Sequence, residues 1–139
     1  MTAWTKATQT LTHAASLEML RAATATAEEI GQPQCIAIVD ASGETLAELR
    51  MTGAKFLSLR SARAKARTAA SIGAPSDAIP EPVRPAIAAA TDGAVTGLGG
   101  GLPIRLDGVL LGGIGVGSGS PDQDLTVARA ALAAIGAEV

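Results

Sequence analysis

Gly99 to Asp124 read GGGLPIRLDGVLLGGIGVGSGSPDQD. Asp107-Gly108 stands between two apolar runs, 102–106 and 109–116, and Asp-Gly is a pair that a two-residue hairpin turn favours. Ser120-Pro121 then opens a helix, with Asp122 and Asp124 in its first turn, where the positive end of the helix dipole favours acids. The stretch therefore predicts a glycine-rich antiparallel hairpin feeding a capped helix. Glycine at this density lets backbone approach backbone, or a ligand, closely.

The rest of the chain is bounded by its length and composition. Its 139 residues suit one domain with a real core. A net charge of −2 gives no basic face for nucleic acid, and Trp4 and Phe56, the only aromatic residues, give no stacking platform. The core must be built from Ala, Leu, Ile and Val at close range. The single Cys35 has no intrachain disulfide partner and no CxxC companion for zinc; in the run 35–39 it reads as a small buried apolar residue. No uninterrupted apolar run reaches the roughly 18–20 residues of a membrane span, and residues 1–10 lack the apolar centre of a signal peptide. The expectation is a soluble cytoplasmic protein.

Working outward from the hairpin, residues 1–10 are polar and read as a flexible arm, followed by a single domain over 11–139. A helix begins after Thr12, with Ala14, Leu17, Leu20, Ala23 and Ala27 on one stripe, and stops at Gly31. Residues 34–39 and 44–51 form strands around the turn Asp40-Ala41-Ser42-Gly43. A second helix spans 57–72 and ends at Gly73. It carries Arg60, Arg63, Lys65 and Arg67. The prolines of 74–85 exclude a continuous helix there. A short helix follows over 83–90, then a strand over 94–98, the hairpin, and a last helix over 121–135. Hairpins argue for an antiparallel sheet, and helices must cover its apolar faces, which gives an α+β layered domain.

Seven blocks in order carry a resemblance: Asp40-Ala41-Ser42-Gly43; Arg50-Met51-Thr52-Gly53-Ala54; Ala64-Lys65-Ala66 with Thr68-Ala69-Ala70; Gly100-Gly101-Leu102-Pro103-Ile104; Asp107-Gly108; Gly112-Gly113-Ile114-Gly115-Val116; and Gln123-Asp124. Over roughly residues 11–136 the chain resembles the GlcG/HbpS family, also called the haem-degrading domain family. The resemblance implies a profilin-like three-layer α/β/α fold with a five-stranded antiparallel sheet, assembly into homo-oligomers from dimers to octamers, and a haem-binding function in some members. It also implies kinship with a domain fused to corrinoid adenosyltransferases of the PduO type. The chain departs from the family pattern at Thr52, where an acidic residue is usual, at Arg67, where an aromatic is frequent, and at Gly97-Leu98-Gly99, where proline is frequent.

Haem requires an apolar slot and an axial ligand from His, Met, Cys or Tyr. His13 is the candidate axial ligand, placed at a helix start where a contact with another subunit could form. Its ordinary role is a surface or capping residue. Met51 closes a strand and serves equally as core filler. A threonine-ligated haem, also implied by the resemblance, points to Thr91 or Thr96. No paired-histidine or HExxH pattern supports a metal site, and the adjacent acids do not share a helix face. Gly117-Ser118-Gly119 before the last helix is a candidate anion cradle.

Three readings of function stay open. The first is a small-molecule-binding protein for haem or a related tetrapyrrole, including a haem-degrading activity. The second is a cofactor-independent isomerase or lyase that moves protons on a small anionic metabolite. Its catalytic residues would be Lys65, Arg50 and Asp40, and Gly100, Gly101, Leu102, Pro103, Ser58 and Met51 would bind the ligand. A lysine flanked by Ala62, Ala66 and Ala69 is desolvated if it faces the sheet, and a desolvated lysine can act as a base or hold an anion. The simpler role for Lys65 is an ion pair with Asp40 or Glu48. The third reading is a structural or regulatory oligomer.

Overall fold

A computed structural model describes residues 2–139; Met1, the first residue of the expected arm, lies outside the described residues. Residues 2–10 are exposed and form no helix or strand, and Leu11 tucks into the core. Helix α1 (His13–Glu29) starts where Thr12 accepts a hydrogen bond on its hydroxyl from the Ala15 amide at 3.2 Å. Strands β1 (Cys35–Asp40) and β2 (Thr45–Arg50) form the first hairpin. Helix α2 (Ser58–Ile72) ends on Gly73, whose φ of +65° is the left-handed conformation that glycine adopts without strain. Two short 3-10 turns, Ser76–Ala78 and Glu81–Val83, occupy the proline-rich segment before α3 (Arg84–Ala90). Strands β3 (Gly101–Leu106) and β4 (Val109–Gly117) form the second hairpin around Asp107-Gly108. Helix α4 (Pro121–Ala134) is opened by a reciprocal capping box between Ser120 and Gln123.

The two hairpins join in one antiparallel sheet of order β2-β1-β4-β3. The sheet has four strands, not the five that the resemblance implies. The segment 94–98, expected as a strand, is irregular. Three of its amides are taken by side chains instead of a neighbouring strand. Val95 N–H donates to Thr91 Oγ1, Thr96 N–H to Thr68 Oγ1 on α2, and Leu98 N–H to Thr96 Oγ1. Pro103, which has no N–H, sits on the edge strand β3, where the missing donor breaks no ladder.

Strand alternation divides the core into two layers. Ile36, Ile38, Ile104, Ile114 and Val116 pack with Met19 and Ala23 of α1 and Val127, Ala128 and Leu132 of α4. Cys35, Ala37 and Val39 face Ala62, Ala66 and Ala70 of α2 on the other side. There β4 presents glycine, at Gly113, Gly115 and Gly117. A Cβ on Gly113 would meet the Ala66 carbonyl oxygen, and one on Gly115 the Ala62 carbonyl oxygen. The alanine-rich helix and glycine-rich strand thus let α2 rest directly on sheet backbone.

Candidate functional site

Where α2 crosses β4, Lys65 turns inward. Its ammonium donates to the Val116 carbonyl at 2.8 Å and to Asp124 Oδ2 at 3.2 Å. Asp124 Oδ1 accepts from the Gly119 amide at 3.1 Å. Lys65 is 5% and Asp124 3% exposed, so both charges are withdrawn from water and compensated by each other. Gly100 makes the room. A Cβ there would lie 2.6 Å from Val116 O and 3.1 Å from Lys65 Nζ, and the residue's φ of +116° suits glycine. A Cβ on Gly101 would strike the Lys65 carbonyl.

Gln34 lies beside this pair and carries no mark in the sequence beyond opening a buried strand. It is fully buried, and neither Oε1 nor Nε2 finds a partner among the described residues. The position of a Cβ on Gly119 is 2.7 Å from Gln34 Nε2 and 3.0 Å from Asp124 Oδ1, so the amide and the carboxylate border the same small space without bonding to each other.

The other sequence candidates are dispersed. Cys35 pairs with Arg50 across the first hairpin, whereas Asp40 ends β1 opposite Gly112 of β4, roughly 17 Å along the strand. Asp40 closes its own turn, accepting from the Ser42 hydroxyl at 2.7 Å and from the amides of Ser42 and Glu44. The Ser42 hydroxyl, seconded by these amides, holds the Asp40 carboxyl below its ordinary range. Glu48 is engaged by Arg63 at 2.5 and 2.7 Å, which lowers its pKa. Neither Asp40 nor Glu48 is therefore the partner of Lys65; Asp124 is.

Arg50 and Met51 line a groove of about 640 Å³ between the C-terminal end of α1 and β2, with Thr24, Glu28, Leu49 and Thr52. Leu102 and Pro103 line a separate cavity of about 210 Å³ with Leu132, Glu138 and Val139. Ser58 packs against Gly117, its carbonyl 3.1 Å from where a Cβ would be. Lys65, Gly100 and Gly101 thus share one place, Arg50 and Met51 another, and Leu102 and Pro103 a third.

His13 stands apart at the start of α1, eleven residues and roughly 16 Å of helix before Thr24. It is exposed, and Leu17, one turn along the same face, is 63% exposed. The alternative soft or hydroxyl donors are engaged. The Cys35 thiol is buried, donates to the Lys55 carbonyl at 3.4 Å, and is pushed up in pKa by burial. Met51 Sδ accepts the Gln34 amide at 3.4 Å. Thr91 Oγ1 donates to the Ile87 carbonyl at 2.7 Å and accepts from Val95, and Thr96 Oγ1 accepts from Leu98. Among the described residues no group of three or more His, Cys, Asp or Glu gathers to hold a metal ion. No described helix is long and apolar enough to cross a membrane.

A family model described as haem degrading protein HbpS-like matches residues 11–133. The chain belongs to the HbpS-like family. Within it, the chain is similar to the corrinoid adenosyltransferase PduO of Citrobacter freundii, with 37% identity over 123 residues. That match covers 85% of this chain and 37% of PduO, so the chain spans little more than a third of that relative's length. Two solved structures share the fold. The PduOC:heme complex superposes with a TM-score of 0.86 at 31% identity, covering 94% of this chain and 98% of that one. A double mutant of HbpS from Streptomyces reticuli gives 0.84 at 34% identity, covering 98% and 94%. The α+β architecture of this HbpS-like chain matches both.

Proposed function

We propose that this chain binds haem, or a related tetrapyrrole, with His13 as the axial ligand to the iron. The observation that carries the reading is the availability of His13. It is an exposed imidazole beside an exposed leucine, while the Cys35 and Met51 sulfurs and the Thr91 and Thr96 hydroxyls are engaged within the chain. Membership of the HbpS-like family and the likeness to a PduOC:heme complex give the ligand class.

A porphyrin needs apolar surface on both of its faces. The first turns of α1 offer Leu17 on one side only. The second face therefore comes from another copy of the chain, and the functional unit is a homo-oligomer with His13 at a contact between copies. Bound there, haem supplies a redox-active iron; the chain itself supplies the imidazole donor and the apolar wall. Haem breakdown is the finer form of this reading, and it is read separately as decay of the haem absorption when oxygen and a reductant are added.

The test is a hemin titration of the full chain. The reading predicts a saturable shift of the Soret band at micromolar hemin, weakened at least tenfold by His13→Ala. His13 is exposed at a helix end, so this variant leaves the fold intact. A wild-type titration without saturation, or one unchanged by His13→Ala, overturns the reading.

A further inference from the structure

Helix α2 places Arg60, Arg63 and Arg67 on one stripe, at spacings of three and four. All three line a small cavity of about 100 Å³ with Asp92, Gly93 and Ala94 of the α3–β3 connection. Arg67 is fixed by its Nε, which donates to the Gly43 carbonyl at 3.0 Å. Arg63 is fixed by Nε and Nη2, both on Glu48. Among the described residues, both Nη atoms of Arg67, the Nη1 of Arg63 and the whole guanidinium of Arg60 have no protein acceptor. Several strong donors on anchored side chains thus border one small space.

The charge around that space is positive. Three guanidiniums stand against the carboxylates of Glu48 and Asp92, which leaves a local charge of +1. Arg67 and Ala94 also line an adjoining groove of about 550 Å³. Ala70, Val95 and Leu110 give this groove an apolar wall, and Ser42, Ser71 and Thr91 add hydroxyl-bearing side chains. Glu44 also lines it and repels a second anionic group at that end.

We propose that this surface binds a small organic monocarboxylate, its carboxylate held by Arg60, Arg63 and Arg67 and its neutral body lying in the wider groove. The planar guanidinium fork matches a carboxylate in bidentate geometry. A local charge of +1 suits one carboxylate better than a phosphate dianion, which would also face Asp92 and Glu44. The site lies on the α2 side of the sheet and His13 on the α1 side, so it stands or falls independently of haem binding.

The experiment titrates the 15N-labelled full chain with sodium lactate, sodium glycerate and sodium butyrate at constant ionic strength. It follows the amides of Gly93 and Ala94 and the Nε–H signals of Arg63 and Arg67. At least one of the three salts should give saturable shifts at these groups, weakened fivefold or more by Arg60→Gln and by Arg67→Gln and unchanged by His13→Ala. Among the described residues the Arg60 side chain makes no hydrogen bond or ion pair, so Arg60→Gln separates lost binding from lost folding. Sodium phosphate should bind more weakly than the best carboxylate, and sodium chloride should not saturate. No saturation with any of the three, equal shifts with chloride, tighter binding of phosphate, or indifference to both arginine variants overturns the proposal.

Discussion

Lys65 Nζ lies 3.2 Å from Asp124 Oδ2, joining α2 to α4 at the end of β4, and both side chains are almost wholly buried. Burial makes the pair asymmetric. Intact, each charge is compensated; with one member removed, the other remains charged and unpaired in the interior. Asp124→Asn or Lys65→Met alone should lower stability by about 3–5 kcal/mol. The double variant Lys65→Met with Asp124→Leu should recover most of that loss. Urea unfolding of the three variants checks it, and single variants within about 1 kcal/mol of the parent would contradict the pairing.

Gly115 sits under the Ala62 carbonyl, between Gly113 and Gly117, which also meet α2. A methyl group there meets helix backbone, which cannot rotate aside. Gly115→Ala should destabilise the protein by about 1–3 kcal/mol, as overpacking of a closed interior does. Thermal unfolding should show a Tm lower by several degrees; an unchanged Tm would mean that α2 rides higher on the sheet than the structure places it.

Arg63 holds the Glu48 carboxyl below its ordinary range, chiefly through its hydrogen bonds. A carboxylate whose pKa is depressed by folding contributes fully above its unfolded value, about 4.3, and loses that contribution as pH falls through the lower folded value. Both side chains keep some contact with water, so the contribution is about 0.5–1 kcal/mol. Glu48→Gln should therefore be less stable than the parent at pH 7, with the gap closing as the pH falls below about 4. Unfolding free energies from acid to neutral pH measure this; a gap that widens with acid would carry the wrong sign.

Element boundaries are readable wherever the chemistry that sets them is local. Thr12 caps the turn that follows it, Ser120 and Gln123 cap each other, and Asp107-Gly108 turns its own hairpin. The strand expected over 94–98 is replaced by side-chain bonds, of which two are local, to Thr91 and Thr96, and one is not: the amide of Thr96 is taken by Thr68, 28 residues earlier on α2. The burial of Lys65 is legible in its alanine neighbours. Its partner is not, because the crossing of α2 over β4 brings together residues 59 apart. Grouping Arg50 with Asp40 overlooks the hairpin register, which puts them at opposite ends of β1. The apolar stripe read through Ala14, Leu17, Leu20, Ala23 and Ala27 is turned in the fold: α1 buries Ser16, Met19, Ala23 and Ala27 and leaves Leu17 exposed, one turn from the exposed His13.

Hydrogen–deuterium exchange of the full chain with and without hemin tests directly whether His13 ligates the iron. If His13 ligates the iron, hemin binding protects the first turns of α1, around His13 to Leu17, and His13→Ala abolishes that protection. Protection confined to the groove beside Arg50 and Met51 or to the α2 face, with α1 unchanged, would contradict it.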